Sequence, residues 1–136
     1  MQSTFTLLIV DDDEDDKEMF IEVATEIDSS INCIKAANGL EALQLLKKEE
    51  FFPDFIFLDL NMPRMNGKQC LVHLKQNEKL RSIPVIIYTT SKMAEDIEEA
   101  KRLGAVHFIT KPSSMITLRK ELEFIFSKIG GKNAAP

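Results

Sequence analysis

Five short apolar runs, each too brief for a helix, alternate along the chain with longer segments in which apolar residues recur at helical spacing. This alternation predicts a parallel β-sheet with helices on both faces, because strands buried on both sides are apolar along their whole length. The predicted strands are Phe5–Val10, Ile31–Ala36, Phe55–Leu58, Val85–Thr89 and His107–Thr110. Since crossovers between parallel strands are right-handed, the predicted fold class is α/β, a doubly wound five-stranded sheet in a three-layer sandwich.

The segments between the strands carry start and stop signals for helices. Helices are predicted over Glu14–Ile27, from Gly39 onward, from Gly67 onward, over Ala94–Leu103, and behind Ser113 or Ser114 as N-cap. The fourth segment is mostly polar, with a narrow apolar stripe of Ile97, Ala100 and Leu103, and Gly104 follows as a C-terminal cap. We therefore expect the fourth helix to be the most loosely packed. The fifth helix is expected to bury Leu118, Leu122, Ile125 and Ile129.

Length and charge narrow the class of protein. With 136 residues, the chain has room for one domain, predicted at residues 1–130, with a flexible tail at residues 131–136. A net charge of -5 without a Lys/Arg cluster argues against nucleic-acid binding. No apolar run approaches the roughly 20 residues that span a bilayer, and no signal segment opens the chain, so we predict no membrane association and a cytoplasmic location. Cys33 and Cys70 lack the spacing of a zinc site and are predicted core residues.

Polar side chains follow four of the predicted strands. Acidic residues come directly after the first strand, Asp59 follows the third, Thr89 closes the fourth, and Lys111 follows the fifth. Because the carboxyl ends of parallel strands meet at one edge of the sheet, these groups are expected in one cleft. Clustered carboxylates favour a shared divalent cation, and hard oxygen ligands suit Mg²⁺. Asp59 can then act as a nucleophile toward phosphorus, with Lys111 and Thr89 stabilising the phosphoryl oxygens.

Four segments of the chain resemble the signatures of receiver domains of two-component response regulators, the CheY-like superfamily. They are Leu8–Asp13, Phe57–Pro63 with Asn66 and Gly67, Pro84–Thr90, and Lys111–Pro112. The resemblance extends from about Phe5 to Ile129. It implies a flavodoxin-like sheet in the order 2-1-3-4-5, a stand-alone single-domain regulator, and signalling through a phosphorelay.

The resemblance also assigns roles to individual residues. Asp59 would be the phosphoacceptor, and Thr89 and Lys111 would act on the phosphoryl group. Mg²⁺ would be held by Asp12, Asp59, the backbone oxygen of Asn61, and Asp11 through a water. Pro112 would follow a cis peptide bond that directs Lys111 into the site, and Thr89 and Phe108 would form the switch pair.

The implied partners are proteins. A sensor histidine kinase or a histidine phosphotransfer protein would supply the phosphoryl group, and an unknown downstream protein would read the switched surface. A homodimer stays an open alternative. The chain would not be an enzyme, apart from catalysing its own phosphorylation and dephosphorylation.

Some of these residues also fit other interpretations. Asp13–Asp16 fit a solvated helix N-terminus stabilised by the helix dipole. His73 and His107 are expected to be structural or exposed, and Phe124 and Phe126 lie two apart on one helix, which suggests an exposed aromatic surface. Two alternative functions are a small haloacid-dehalogenase-like phosphatase using Asp11 and Asp13, and a receiver-shaped docking module that is never phosphorylated. The signature of those phosphatases requires Thr or Val at the position of Asp15. It also requires a later pair of aspartates that bind the metal, and the sequence lacks this pair.

Overall fold

The computed structural model of the chain describes residues 5–49 and 52–130. One parallel sheet of five strands has the order β2-β1-β3-β4-β5, which confirms the predicted fold. The strands are β1 (Thr6–Val10), β2 (Asn32–Ala36), β3 (Phe55–Leu58), β4 (Val85–Thr89) and β5 (His107–Thr110). The helices are α1 (Glu14–Ile27), α2 (Gly39–Glu49), α3 (Gly67–Gln76), α4 (Ala94–Arg102) and α5 (Met115–Ile125), followed by a π-helical turn at Phe126–Gly130. The predicted tail at 131–136 and the side chain of Ile129 lie outside the described residues.

Two apolar cores sandwich the sheet. Successive residues of β1 alternate between them, so Leu8 packs in one core and Leu7 and Ile9 pack in the other. The first core lies under α2 and α3, and the second, under α1 and α5, is rich in aromatic rings. In that second core, Phe20 of α1 lies 4.7 Å from the ring of Phe57 in an edge-on arrangement. Burial on both faces explains why the interior positions of β1, β3 and β4 are filled by aliphatic and aromatic side chains.

Side-chain hydrogen bonds cap α1, α3 and α5 at the carboxyl edge of the sheet, whereas α4 has no such cap. Asp13 accepts a hydrogen bond from the backbone N–H of Asp16 at the start of α1, and Ser114 is the N-cap of α5. Asn66 caps α3 in a reciprocal capping box. These three caps fix where α1, α3 and α5 begin, and so they hold the loops that carry the acids and Lys111.

The fourth helix is packed as lightly as its composition predicts. Within α4, Ala100 alone is buried, and the helix ends at Arg102, after which Gly104 adopts a φ of +112°. That left-handed conformation suits glycine and terminates the helix. Across the described residues, no helix is both long and apolar enough to cross a membrane.

The two phenylalanines near the C-terminus separate as expected. Phe126 is buried in the second core, whereas the Phe124 side chain is 49% exposed and lies 6.0 Å from the His107 ring. His73 is exposed on α3 and His107 is half-buried, as predicted for both histidines. Cys70 is buried, but Cys33 is only half-buried beside the second core.

Candidate functional site

Backbone hydrogen bonds extend the sheet by one residue beyond three strands. The N–H of Asp11 donates to the carbonyl of Ala36 at 3.0 Å, and the N–H of Asp59 donates to Val10 at 3.0 Å. On the other side, the N–H of Lys111 donates to Thr89 at 2.7 Å. The side chains that follow β1, β3 and β5 are therefore held at a common edge, as the sequence predicts.

Three carboxylates meet at this edge. Asp11, Asp12 and Asp59 each offer an oxygen, and these oxygens all lie within 4.8 Å of one another. Asp11 and Asp59 are buried, whereas Asp12 is exposed. A set of hard oxygen donors at this spacing, open on one side to solvent, fits a small divalent cation such as Mg²⁺.

Lys111 provides the positive charge of the site. Its Nζ lies 2.7 Å from Asp11 Oδ2, 2.8 Å from Asp16 Oδ2 and 3.4 Å from Asp59 Oδ2, and it stands 5.6 Å from the centre of the Tyr88 ring. Burial alone would lower the pKa of Lys111, but the adjacent carboxylates outweigh burial and raise the pKa above its usual range. Lys111 is therefore charged at any physiological pH. The prediction that Asp16 belongs to a solvated helix N-terminus was wrong, because its carboxylate pairs with Lys111.

Asp11 occupies the most enclosed position. Burial raises the pKa of Asp11 to about 6, because desolvation outweighs the lowering effect of the Lys111 ammonium. Its Oδ1 accepts the N–H of Asp13 at 3.0 Å, but within the described residues no donor is aligned for a hydrogen bond to Oδ2, whose contact with Lys111 is an ion pair. A buried carboxylate oxygen without an aligned hydrogen-bond donor strengthens the fit to a cation.

A buried lysine, which the sequence interpretation missed, supports the turn that carries these acids. Lys17 of α1 is 3% exposed, and its Nζ donates to the backbone carbonyl of Asp11 at 2.7 Å and pairs with Glu14 at 3.2 Å. Lysine is almost never fully buried unless it is paired, so its residue type gave no sign of this position. The contact ties the end of β1 to α1.

The predicted switch residues lie on one face of neighbouring strands. Thr89 pairs in register with Thr110, and Phe108 pairs with Ile87, so Thr89 and Phe108 project toward the first core. Thr89 is completely buried, and its hydroxyl has no hydrogen-bond partner among the described residues. Phe108 is partly buried against the same core. A buried hydroxyl without a partner gains a hydrogen bond when it moves toward an incoming acceptor.

Replacing Thr89 with valine is expected to stabilise the chain by about 1 kcal/mol, because a methyl group replaces a buried hydroxyl that has no partner. The matched control is Thr110→Val on the paired strand, where the hydroxyl donates to the carbonyl of Ser91 at 3.2 Å. Removing that hydrogen bond is expected to destabilise the chain by up to about 1 kcal/mol. Equilibrium denaturation measures both changes, and shifts of the same sign in the two variants would contradict the prediction.

Two details of the loops bear on the predicted ligand set. The N–H of Asn61 donates to Asp59 Oδ1 at 3.3 Å, so the backbone after β3 folds back over the carboxylate. The prediction of a cis peptide bond before Pro112 was wrong, since every peptide bond in the described part of the chain is trans. The trans form is the preferred one for prolyl bonds by about 0.5–1 kcal/mol, and the backbone bond to Thr89 already directs Lys111 into the site.

The family of response regulator receiver domains matches residues 7–123 of the chain. The chain belongs to this family. The chemotaxis protein CheY-3 of Vibrio cholerae is 33% identical over 129 residues, which cover 95% of this chain and 97% of that protein. The polar-differentiation response regulator DivK of Brucella ovis is 34% identical over 127 residues, or 93% of this chain and 98% of that protein. The crystal structure of the Mn²⁺-bound form of response regulator Rcp1 superimposes with a TM-score of 0.81 at 30% identity, covering 90% of this chain and 92% of that chain.

Family membership excludes the phosphatase alternative, and it leaves the docking module that is never phosphorylated to experiment. The chain is a receiver domain homologous to single-domain response regulators of phosphorelay signalling, rather than a haloacid-dehalogenase-like phosphatase or another metabolic enzyme. Receiver domains accept phosphoryl groups from histidine kinases or phosphotransfer proteins, and the family binds Mg²⁺ at an acidic pocket. The cluster at Asp11, Asp12 and Asp59 is the acidic pocket of this receiver domain.

Proposed function

We propose that this receiver domain accepts a phosphoryl group on Asp59 in a Mg²⁺-dependent reaction and thereby switches a protein-binding surface. The observation that carries the proposal is the environment of Asp59: its carboxylate is buried at the carboxyl edge of the sheet, beside Asp11 and Asp12 and 3.4 Å from the Lys111 ammonium. The donor is a histidine kinase or a phosphotransfer protein. The working unit is the domain at residues 1–130, placed in the cytoplasm.

The proposed metal ligands are carboxylates of Asp12 and Asp59, the backbone oxygen of Asn61, and Asp11 through a water. When bound, Mg²⁺ would neutralise negative charge on the carboxylates and on the phosphoryl oxygens. The Mn²⁺-bound form of the related regulator Rcp1 supports a divalent ion in this family. The buried Asp11 Oδ2 and the spacing of the three carboxylates support it in this chain.

Phosphoryl transfer to Asp59 needs a nucleophile and hydrogen-bond donors that are held in place around the phosphoryl oxygens. A carboxylate oxygen of Asp59 forms a bond to phosphorus while the bond between phosphorus and the donor's leaving atom breaks. Lys111 balances charge on the phosphoryl oxygens, and it is poised because its ammonium is already held at the site. The Thr89 hydroxyl, which lacks a partner, would donate to a phosphoryl oxygen. Hydrolysis of the acyl phosphate by water returns the site to its starting state.

The proposed output is a change in the surface formed by α4, β5 and α5. When Thr89 moves toward the phosphoryl group, Phe108 would turn inward to fill the space left behind. The light packing of α4 supports its participation, because switching elements come from the less stable parts of a structure. The surface carries exposed apolar side chains at Val106, Ile116 and Phe124, which suit a downstream protein or a second copy of the chain.

The direct test is incubation with Mg²⁺ and acetyl phosphate, followed by intact-mass measurement. The expected product carries one labile phosphoryl group, and chelation of Mg²⁺ during incubation is expected to prevent its formation. An unmodified mass at all donor concentrations would refute phosphorylation and would favour a docking module.

Mg²⁺ binding is expected to weaken as the pH falls through the pKa of Asp11. That pKa is raised to about 6, so below this pH Asp11 is protonated and a proton competes with the cation for the cluster. The apparent affinity should be about tenfold lower near pH 5 than near pH 7, one proton being displaced for each ion bound. Tyr88 is the sole tyrosine in a chain without tryptophan, and it lies beside Lys111, so its fluorescence can follow the titration. Equal affinities at the two pH values would contradict the assignment of Asp11 to the cluster.

A further inference from the structure

Lys111 is shared between two sides of the site. On the α1 side its Nζ donates a hydrogen bond to Asp16 Oδ2 at 2.8 Å, whereas its hydrogen bond to Asp59 Oδ2 is longer, at 3.4 Å. Asp16 is not one of the three carboxylates clustered for a cation. The ammonium is therefore held closer to a residue that has no part in the proposed phosphoryl chemistry than to the proposed phosphoacceptor.

The partners of Lys111 differ in how easily they can release it. The Asp11 side chain is 1% exposed, so a loss of its ion pair would leave a buried charge uncompensated. The Asp16 side chain is 32% exposed and can turn into water at small cost. A phosphoryl group on Asp59 adds negative charge next to Lys111, whose ammonium lies 3.4 Å from Asp59 Oδ2. The ammonium has three N–H donors, and Asp16 already accepts one of them at 2.8 Å, so Asp16 competes with the phosphoryl oxygens for Lys111.

We propose that Asp16 is a positioning residue that holds Lys111 on the α1 side and competes with the phosphoryl group on Asp59 for its ammonium. This inference rests on the proposed phosphorylation of Asp59. It predicts that Asp16 weakens the phosphorylated state and so sets how readily this receiver is activated. The pair connects α1 to β5 across the site, and the release of Asp16 would accompany activation.

The test measures binding of beryllium fluoride, a tetrahedral analogue of the phosphoryl group, at saturating Mg²⁺. Asp16→Asn is expected to bind the analogue about fivefold more tightly than the wild type, the effect of losing one partly exposed ion pair. The matched control is Asp15→Asn, which removes the same charge from the same exposed helix turn. Asp16→Glu restores the carboxylate and should return the affinity toward the wild-type value. Fluorine NMR quantifies the bound analogue, and thermal unfolding checks that every variant is folded.

The outcomes separate this inference from the proposed function. Tighter binding by Asp16→Asn, with Asp15→Asn at the wild-type value, supports the competition for Lys111. Binding by Asp16→Asn that is equal to or weaker than that of Asp15→Asn overturns it, while phosphorylation of Asp59 stands. If the wild type neither binds beryllium fluoride nor accepts a phosphoryl group from acetyl phosphate, the proposed function fails and the inference fails with it. Asp16→Ala is measured in parallel, so that the result does not depend on one variant.

Discussion

Replacing Asp59 with asparagine is expected to abolish the labile adduct that the chain forms with acetyl phosphate and Mg²⁺. The amide keeps the shape of the side chain but cannot attack phosphorus as a carboxylate does. We expect the rate of adduct formation to fall by at least about a thousandfold, as for the loss of other enzyme nucleophiles. Intact mass over a time course measures it, and an undiminished adduct in Asp59→Asn would place the acceptor elsewhere.

Asp11→Asn is the informative companion variant. The receiver mechanism keeps Asp59 as acceptor in this variant, with slower phosphorylation because the cation site loses a carboxylate. A phosphatase built on Asp11 would instead lose all turnover of phosphate esters.

Loss of the adduct in Asp59→Asn should not reflect unfolding, because the negative charge of Asp59 is one of the influences that raise the pKa of buried Asp11. Removing that charge relieves repulsion within the cluster.

The sheet could be predicted from sequence because each central strand is buried on both faces. Continuous apolar runs such as Phe55–Leu58 and Val85–Thr89 leave no other local structure of that length, and both appear as strands with those bounds. The two predictions that differ at a strand start, Phe5 and Ile31, miss by one residue at the edge of β1 and β2. Hydrogen bonding decides such ends, and apolar character does not reveal it.

The gathering of the acids, Thr89 and Lys111 at one edge could also be predicted, because the topology alone brings the strand ends together. The contacts that each charged side chain makes could not be predicted from the sequence. Asp16 is the last residue of the acidic run Asp11–Asp16 and looks like a solvated helix residue, yet the first turn of α1 directs it to Lys111, 95 positions away in sequence. Long, flexible side chains such as those of Lys17 and Lys111 reach contacts that sequence spacing does not encode.

Replacing Gly67 with alanine is expected to be the most destabilising small change at this edge. Gly67 is the first residue of α3 and is buried, and its N–H donates to the carbonyl of Leu60 at 2.9 Å. A Cβ at this position would lie 2.2 Å from the backbone oxygen of Asp59 and 2.7 Å from the Cα of Leu60. Backbone cannot rotate away as a side chain can, so the start of α3 and the end of β3 must separate. We expect a loss of about 3 kcal/mol in the free energy of unfolding, measured by equilibrium denaturation.

The same substitution at the first residue of α2 provides the matched control. At Gly39 a Cβ would meet the Cβ of Cys70 and the backbone oxygen of Met65, each at 3.0 Å. These contacts are tight but can be relieved by a few tenths of an ångström, so Gly39→Ala should cost clearly less than Gly67→Ala. Because the backbone of Asp59 must move in Gly67→Ala, that variant should also accept phosphoryl groups more slowly under conditions in which it is folded. Equal stability of Gly67→Ala and the wild type would show that β3 does not pack on α3 this closely. The phosphoacceptor would then lack the rigid support on which its geometry depends.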